Sequence, residues 1–359
     1  MDDMEPFCKL AHPENYTTTG WDLVADVPAR AAWLRTFDEH TDSLLKHSRG
    51  SLHPPAEAAL VEYAAAFRGL LARIALAPRD FAPLDIYKLC KLRADLMKAH
   101  ALGDPYDRVK LDENVHALEL LPKVVRALDA RPPGDVVETL IRGILAGNKF
   151  DLGAKDTTAL FEDAGIDFAS TLEDLPERPW FVDRVTDIQA RLAPGAVNYR
   201  KAMYFVDNAG GDVVLGALPF ARYLAQAGCA VVLAANDEPS LNDIIVTELN
   251  DVLAHAARTD AILRDHLAAG RIAVAGTGCD CPLIDLGAVS AECNAAARDC
   301  DLVILEGMGR AVETNYSTPF TCDCIHIAMI KNRDLAAHLG CDLYALIVNF
   351  TPAGSAPRH

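Results

Sequence analysis

The chain has 359 residues, 51% of them hydrophobic, with a formal net charge of -17 at pH 7 and a pI near 5.0. This length and apolar content rule out a disordered chain and fit two domains, or one domain with a large attachment, around a sizeable core. The acidity argues against nucleic acid or an anionic membrane as partner, since both select a basic face, and an anionic substrate would need local cations or a metal.

The start, Met1-Asp2-Asp3-Met4-Glu5, lacks the basic-then-apolar order of a signal peptide, and no apolar run approaches the length of a membrane span. A cytoplasmic protein with no membrane partner is therefore expected. The 10 cysteines are spread along the chain, with Cys90 and Cys229 inside apolar segments, as reduced thiols used as small apolar side chains would be; no disulfides are expected.

From about Pro28 to about Arg191 apolar residues recur at three- and four-residue intervals, which predicts helices over Ala56 to Ala75, Leu84 to His100, Val115 to Leu128 and Val136 to Leu145. Pro54-Pro55, Pro78, Pro105, Pro132-Pro133-Gly134, Pro176 and Pro179 fall at the breaks. An N-terminal helical domain spanning residues 1–195 is expected. Within it, Gly147-Asn148-Lys149-Phe150-Asp151-Leu152-Gly153 follows the last helix and reads, by itself, as a helix end and loop.

The texture changes at about Asn198. Short apolar runs at Ala202 to Val206, Ala230 to Ala234, Arg271 to Ala275, Leu302 to Leu305, Ile325 to Ile330 and Leu343 to Val348 alternate with helix-length segments. This is the pattern of a mainly parallel sheet covered on both faces, an α/β domain over residues 196–359. Polar clusters follow successive strands: Asp207-Asn208, Asn236 with Asn242-Asp243, Thr277-Gly278, Glu306-Gly307-Met308-Gly309-Arg310, and Lys331-Asn332. Parallel strands would bring these clusters to one edge, where open α/β sheets bind ligands.

Asp207, Asn208 and Asp243 offer hard oxygen ligands suited to Mg²⁺ or Mn²⁺, with positions left open for water and a substrate oxygen. The same two acids would also serve as helix N-caps. Gly210-Gly211 opens the following helix, either to approach an anion or to make a tight turn. Arg310 and Lys331 stand at strand ends as counter-charges for a phosphate, and Thr314-Asn315-Tyr316 lies in the loop with Arg310. The pairs Cys279/Cys281 and Cys322/Cys324 have one residue between cysteines, a poor match to structural zinc. Gly-x-Ser-x-Gly and His-Glu-x-x-His motifs are missing from the sequence, as is a credible Cys/His nucleophile pair, so serine, cysteine and zincin hydrolases are poorly supported.

Taken in order, these segments resemble the metal-dependent damage-control phosphatases (domain of unknown function 89), and within them the subfamily fused to pantothenate kinases in animals and plants. The resemblance spans nearly the whole chain. It includes Pro6-Phe7, Pro13-Glu14-Asn15-Tyr16, Asp104-Pro105-Tyr106 with Val109-Lys110, Leu145 to Ala154, and Arg178-Pro179-Trp180. It continues through Asp207-Asn208, Leu233 to Asn236, Pro239 to Asp243, and Glu306 to Arg310 as far as Lys331-Asn332, with no kinase domain attached. The resemblance implies a helical domain packed on a three-layer α/β/α sandwich, with Mn²⁺, Co²⁺, Ni²⁺ or Mg²⁺ held by Asp207, Asn208 and Asp243 in the cleft between them. It implies that the loop around Asn148 and Asp151 reaches the site and that Glu306, Arg310, Asn315 and Lys331 lie on the substrate side. The implied substrate is a small phosphorylated metabolite, 4′-phosphopantetheine or its oxidised forms. Asp151 is the candidate general base. The rival readings are an S-adenosylmethionine-dependent carboxyl methyltransferase, in which Val206 to Gly211 is the cofactor loop, and a non-catalytic metabolite sensor.

Overall fold

Helix α1 (Val27–Gly50) starts at Asp26, whose carboxylate accepts the Ala29 N–H at 2.9 Å. It is followed by α2 (Glu57–Leu76), by α3 (Ile86–Ala99), capped by Asp85, and by α4 (Asp107–Asp129) and α5 (Val136–Lys149). The computed structural model describes residues 4–18, 21–149, 172 and 174–355. Apolar periodicity finds α4 only from Val115, because the first turns carry mostly polar residues and a buried lysine, Lys110.

The second half supplies β1 (Val182–Asp183), α6 (Val185–Leu192), β2 (Lys201–Phe205), α7 (Leu218–Gln226), β3 (Ala230–Ala235), α8 (Val246–Thr259) and α9 (Ala261–Ala268). After them come β4 (Ile272–Gly276), α10 (Ala291–Ala297), β5 (Leu302–Glu306), β6 (Asp323–Met329), α11 (Arg333–Leu339) and β7 (Leu346–Thr351). Two π-helical turns, Asp212–Ala217 leading into α7 and Met308–Thr314 after β5, follow strands at the same sheet edge.

The described strands form one sheet in the order β1-β7-β6-β5-β2-β3-β4. Strands β2 to β6 are mutually parallel, whereas β7 runs antiparallel to β6 and parallel to β1. The last strand lies later than its apolar run predicts. The Tyr344 N–H bonds Ile330 O at 2.7 Å and Tyr344 sits at φ 66°, so the chain turns there before β7 begins.

Alternation along β2 sorts the two cores: Ala202, Tyr204 and Val206 face one, with α4 to α9, and Met203 and Phe205 face the other, with α1 to α3 and α10. Both faces are thus covered, as an α/β/α sandwich requires. The sheet begins before residue 196, since β1 pairs with β7 and α6 buries Val185, Ile188 and Leu192 against the first core. From β2 the chain builds outward through β3 and β4, then crosses back to place β5 on the other side of β2. The carboxyl ends of β2 and β5 therefore flank a topological switch point. Among the described residues no helix is long and apolar enough to cross a membrane.

Candidate active site

At the end of β2, Asp207 and Asn208 are buried and tied to Asp212, the first residue of the π-helical turn. The Asn208 main-chain N–H and Nδ2 donate to Asp212 Oδ2 at 3.0 and 2.9 Å, and Nδ2 also donates to Asp207 Oδ2 at 2.9 Å. From α5, Asn148 Nδ2 donates to Asp207 Oδ2 and Asp212 Oδ2, both at 3.0 Å. That reach depends on Gly147, which lies inside α5: a Cβ there would stand 2.8 Å from Asp212 Cα and from Gly211 O. The absence of a side chain lets helix and turn backbones touch, which sets Asn148 over the acids.

Asp243 arrives from the loop after β3. Asn208 and Asp243 form an antiparallel bridge, and the Ile244 N–H donates to Asp207 O at 3.1 Å. Asn236 Nδ2 donates to Asp243 Oδ2 at 3.2 Å. From beneath, the fully buried Lys110 of α4 pairs with Asp104 at 2.7 Å and Glu248 at 2.8 Å, its Nζ 3.4 Å from Asp243 O. Burial pulls the Lys110 pKa down, but its two acidic partners outweigh that and hold it above the ordinary value. Neither Asp207 nor Asp243 caps a helix, for Gly211 and Ile245 occupy those positions.

The end of β5 closes the other side. Gly307, at φ 88°, is required: a Cβ would stand 2.1 Å from Asp207 Oδ2. The Arg310 guanidinium, 2% exposed, bonds Asp207 Oδ1 and Asp243 Oδ2 and donates to Asn236 Oδ1 at 3.1 Å. Burial lowers the Arg310 pKa, yet Asp243 and Asp207 raise it further, so the cation is firmly held. Burial pushes the Asp207 carboxyl up; Arg310 and Lys331 pull against this, while Asp243 and Asp212 reinforce it.

Lys331 Nζ donates to Asn148 O at 2.9 Å, which joins it to the same cluster. Glu306 lies under the cluster, 1% exposed, and accepts the Tyr204 hydroxyl at 2.6 Å. Burial and the neighbouring Asp212 carboxylate drive the Glu306 pKa well above the ordinary value. Asn315, with no solvent exposure, spends its Nδ2 on Ile284 O and Arg310 O and its Oδ1 on the Tyr16 hydroxyl, and so fixes the turn that carries Arg310. Asp151 lies outside the described residues.

Asn236 belongs to the cluster, as its place after an apolar run suggests, whereas Asp212, Lys110 and Tyr204 belong to it but do not stand out in the sequence. An acid opening a helix, a helical lysine and a strand tyrosine each have commoner duties. The half-buried Cys279 donates to Leu283 O at 3.1 Å, and desolvation pushes its thiol up to about 12.

The donor set fits a hard divalent cation. Two buried carboxylates converge on one point where Arg310 supplies positive charge, the Asn208 side chain adjoins them, and the buried Asn148 Oδ1 has no hydrogen-bond partner among the described residues. No cluster of three or more His, Cys, Asp or Glu ligands forms among the described residues, so amide oxygens would complete the shell.

Residues 29–347 match the family described as the damage-control phosphatase ARMT1-like domain. A damage-control phosphatase of Arabidopsis thaliana is 36% identical over 365 residues, covering 98% of this chain and 99% of that one. A 4′-phosphopantetheine phosphatase of Mus musculus is 31% identical, over 95% of this chain and 48% of its own length. A solved DUF89-family protein from Pyrococcus horikoshii shares the fold, with a TM-score of 0.61 at 16% identity over 90% of this chain and 97% of that one.

Proposed function

Because the chain belongs to the damage-control phosphatase ARMT1-like family, we propose that it hydrolyses a small phosphorylated metabolite in a metal-dependent reaction, with 4′-phosphopantetheine or its damaged forms as the substrate. The substrate follows the name of the mouse relative, of whose length the chain spans about half. The observation that carries the reading is the convergence of Asp207 and Asp243 on Arg310 at the switch point of the sheet.

Asp207, Asp243 and Asn208 would hold the ion, Mn²⁺, Co²⁺, Ni²⁺ or Mg²⁺. When bound, such an ion polarises a phosphate oxygen and lowers the pKa of a coordinated water. The protein supplies the rest. Asp212 keeps Asn208 in place through two hydrogen bonds. Lys331 and Arg310 offset the charge on the phosphoryl group as it transfers, Arg310 by turning from the carboxylates it bridges toward the phosphoryl oxygens. The methyltransferase alternative needs an acid at the end of β3 for a ribose, and Asp237 there is engaged by the Gly278 N–H.

The test is phosphate release from a panel of phosphate esters, 4′-phosphopantetheine among them, by metal-stripped protein with each ion restored singly. Turnover is expected only with metal, and Asp207→Ala should lower it by about 10²-fold or more. Metal-independent turnover, or an Asp207→Ala variant as active as the parent, would overturn the assignment.

A further inference from the structure

The structure holds three buried arginines among the described residues, Arg93, Arg222 and Arg310. Arg222 pairs with Asp129 at 2.8 Å and Asp260 at 2.7 Å, and Arg310 with Asp207 and Asp243. Arg93, 5% exposed, has neither an ion pair nor a hydrogen bond among the described residues. Its guanidinium lies over the Phe37 ring, 5.0 Å from the centroid. A single cation–π contact does not repay the cost of burying an ion.

Arg93 lines a cavity of about 220 Å³ between α3 and the loop after β3, with Cys90, Met97, Lys98, Ser240 and Leu241 among its other walls. The acids nearby do not neutralise it. Asp104 pairs with Lys110 at 2.7 Å, and Glu238 is exposed. Lys98, also on the wall, pairs with Asp280 at 2.8 Å. The Ser240 hydroxyl makes no hydrogen bond among the described residues, although the residue is 7% exposed. Tyr63, beside this arginine, has a buried hydroxyl with no hydrogen-bond partner among the described residues; burial pushes its pKa up to about 12 against the pull of Arg93.

We propose that this cavity binds a small oxyanion, a phosphate or carboxylate group, on Arg93 and Ser240. The volume is below the ~300–1,000 Å³ of sites that enclose drug-sized ligands, so a free oxyanion or one with a short tail fits and a nucleotide does not. The Asp243 N–H bonds Ser240 O at 3.1 Å, so an anion on Ser240 is tied mechanically to the candidate metal site.

The experiment is hydrogen exchange on the full chain with sulfate and, separately, with malonate, in the parent and in Arg93→Met. In the parent, one or both anions should slow exchange several-fold in residues 90–98 together with 238–243; sulfate alone would mark a phosphate-type ligand and malonate a carboxylate. Arg93→Met should lose this protection and keep its turnover. Protection that survives in Arg93→Met, that is confined to residues 207–212 and 307–311, or that fails with both anions would overturn the proposal. The exchange pattern of the parent decides the matter even if the variant does not fold.

Discussion

At the scale of single residues the site is governed by charge that must be balanced away from water. Arg310 neutralises Asp207 and Asp243, and its removal takes the buried cation from both acids. Arg310→Met should destabilise metal-stripped protein by about 3–5 kcal/mol, and Mn²⁺ should restore much of that loss, as measured by urea unfolding with and without the ion. A deficit that metal leaves unchanged would mean that Arg310 does not stand in for a cation. Glu313 is a second such group: it is 7% exposed, Oε1 is buried without a hydrogen-bond partner among the described residues, and burial pushes its pKa up to about 7 against the pull of Lys331. Between about pH 4.5 and 7 the unfolded chain releases a proton that the folded chain keeps, so this contribution to stability falls as pH rises through that window and is flat above it. Glu313→Gln should gain on the parent across the window by at most on the order of 3 kcal/mol, and parallel stability curves would contradict this. Asp207 and Asn208 stand out in the sequence because they directly follow an apolar run, and Asp243 because it lies in the polar loop after the next one. Lys110 does not, because a lysine that buries itself on two acids looks, in sequence, like one on a solvated helix face.

At the scale of elements, the decisive contact is α5 against the π-helical turn after β2. Gly147 and Gly216 let the two backbones meet, the second lying where a Cβ would stand 2.9 Å from Ile144 Cα. Gly147→Ala should push α5 off the turn and cost about 1–3 kcal/mol by overpacking. It should also draw Asn148 away from Asp207, so turnover should fall with stability; a variant that keeps both would show that the contact is not needed. The sequence around Gly147 suggests a helix end, since a glycine needed for close approach and one needed for a turn are written alike. Strands β2, β3, β5 and β6 are legible because burial on both faces leaves continuous apolar runs. The two-residue β1 is too short for any period, and the π-helical turns differ too little from α-helical spacing to be told apart.

At the scale of the molecule, one crevice draws on both halves of the chain. Asn148 and Lys110 come from the helical half, while Asp207, Asp243, Arg310 and Lys331 come from the ends of parallel strands. The sequence places the strand-end residues on one edge without specifying strand order, and the crossing back from β4 to β5 is what sets Arg310 opposite Asp207. The most direct test of this arrangement is Mn²⁺ binding followed by electron paramagnetic resonance, comparing metal-stripped parent protein with Asp207→Asn. The parent should take up Mn²⁺ at one site that the variant loses while remaining folded. Equal uptake by the two proteins would remove Asp207 from the metal site and contradict the account.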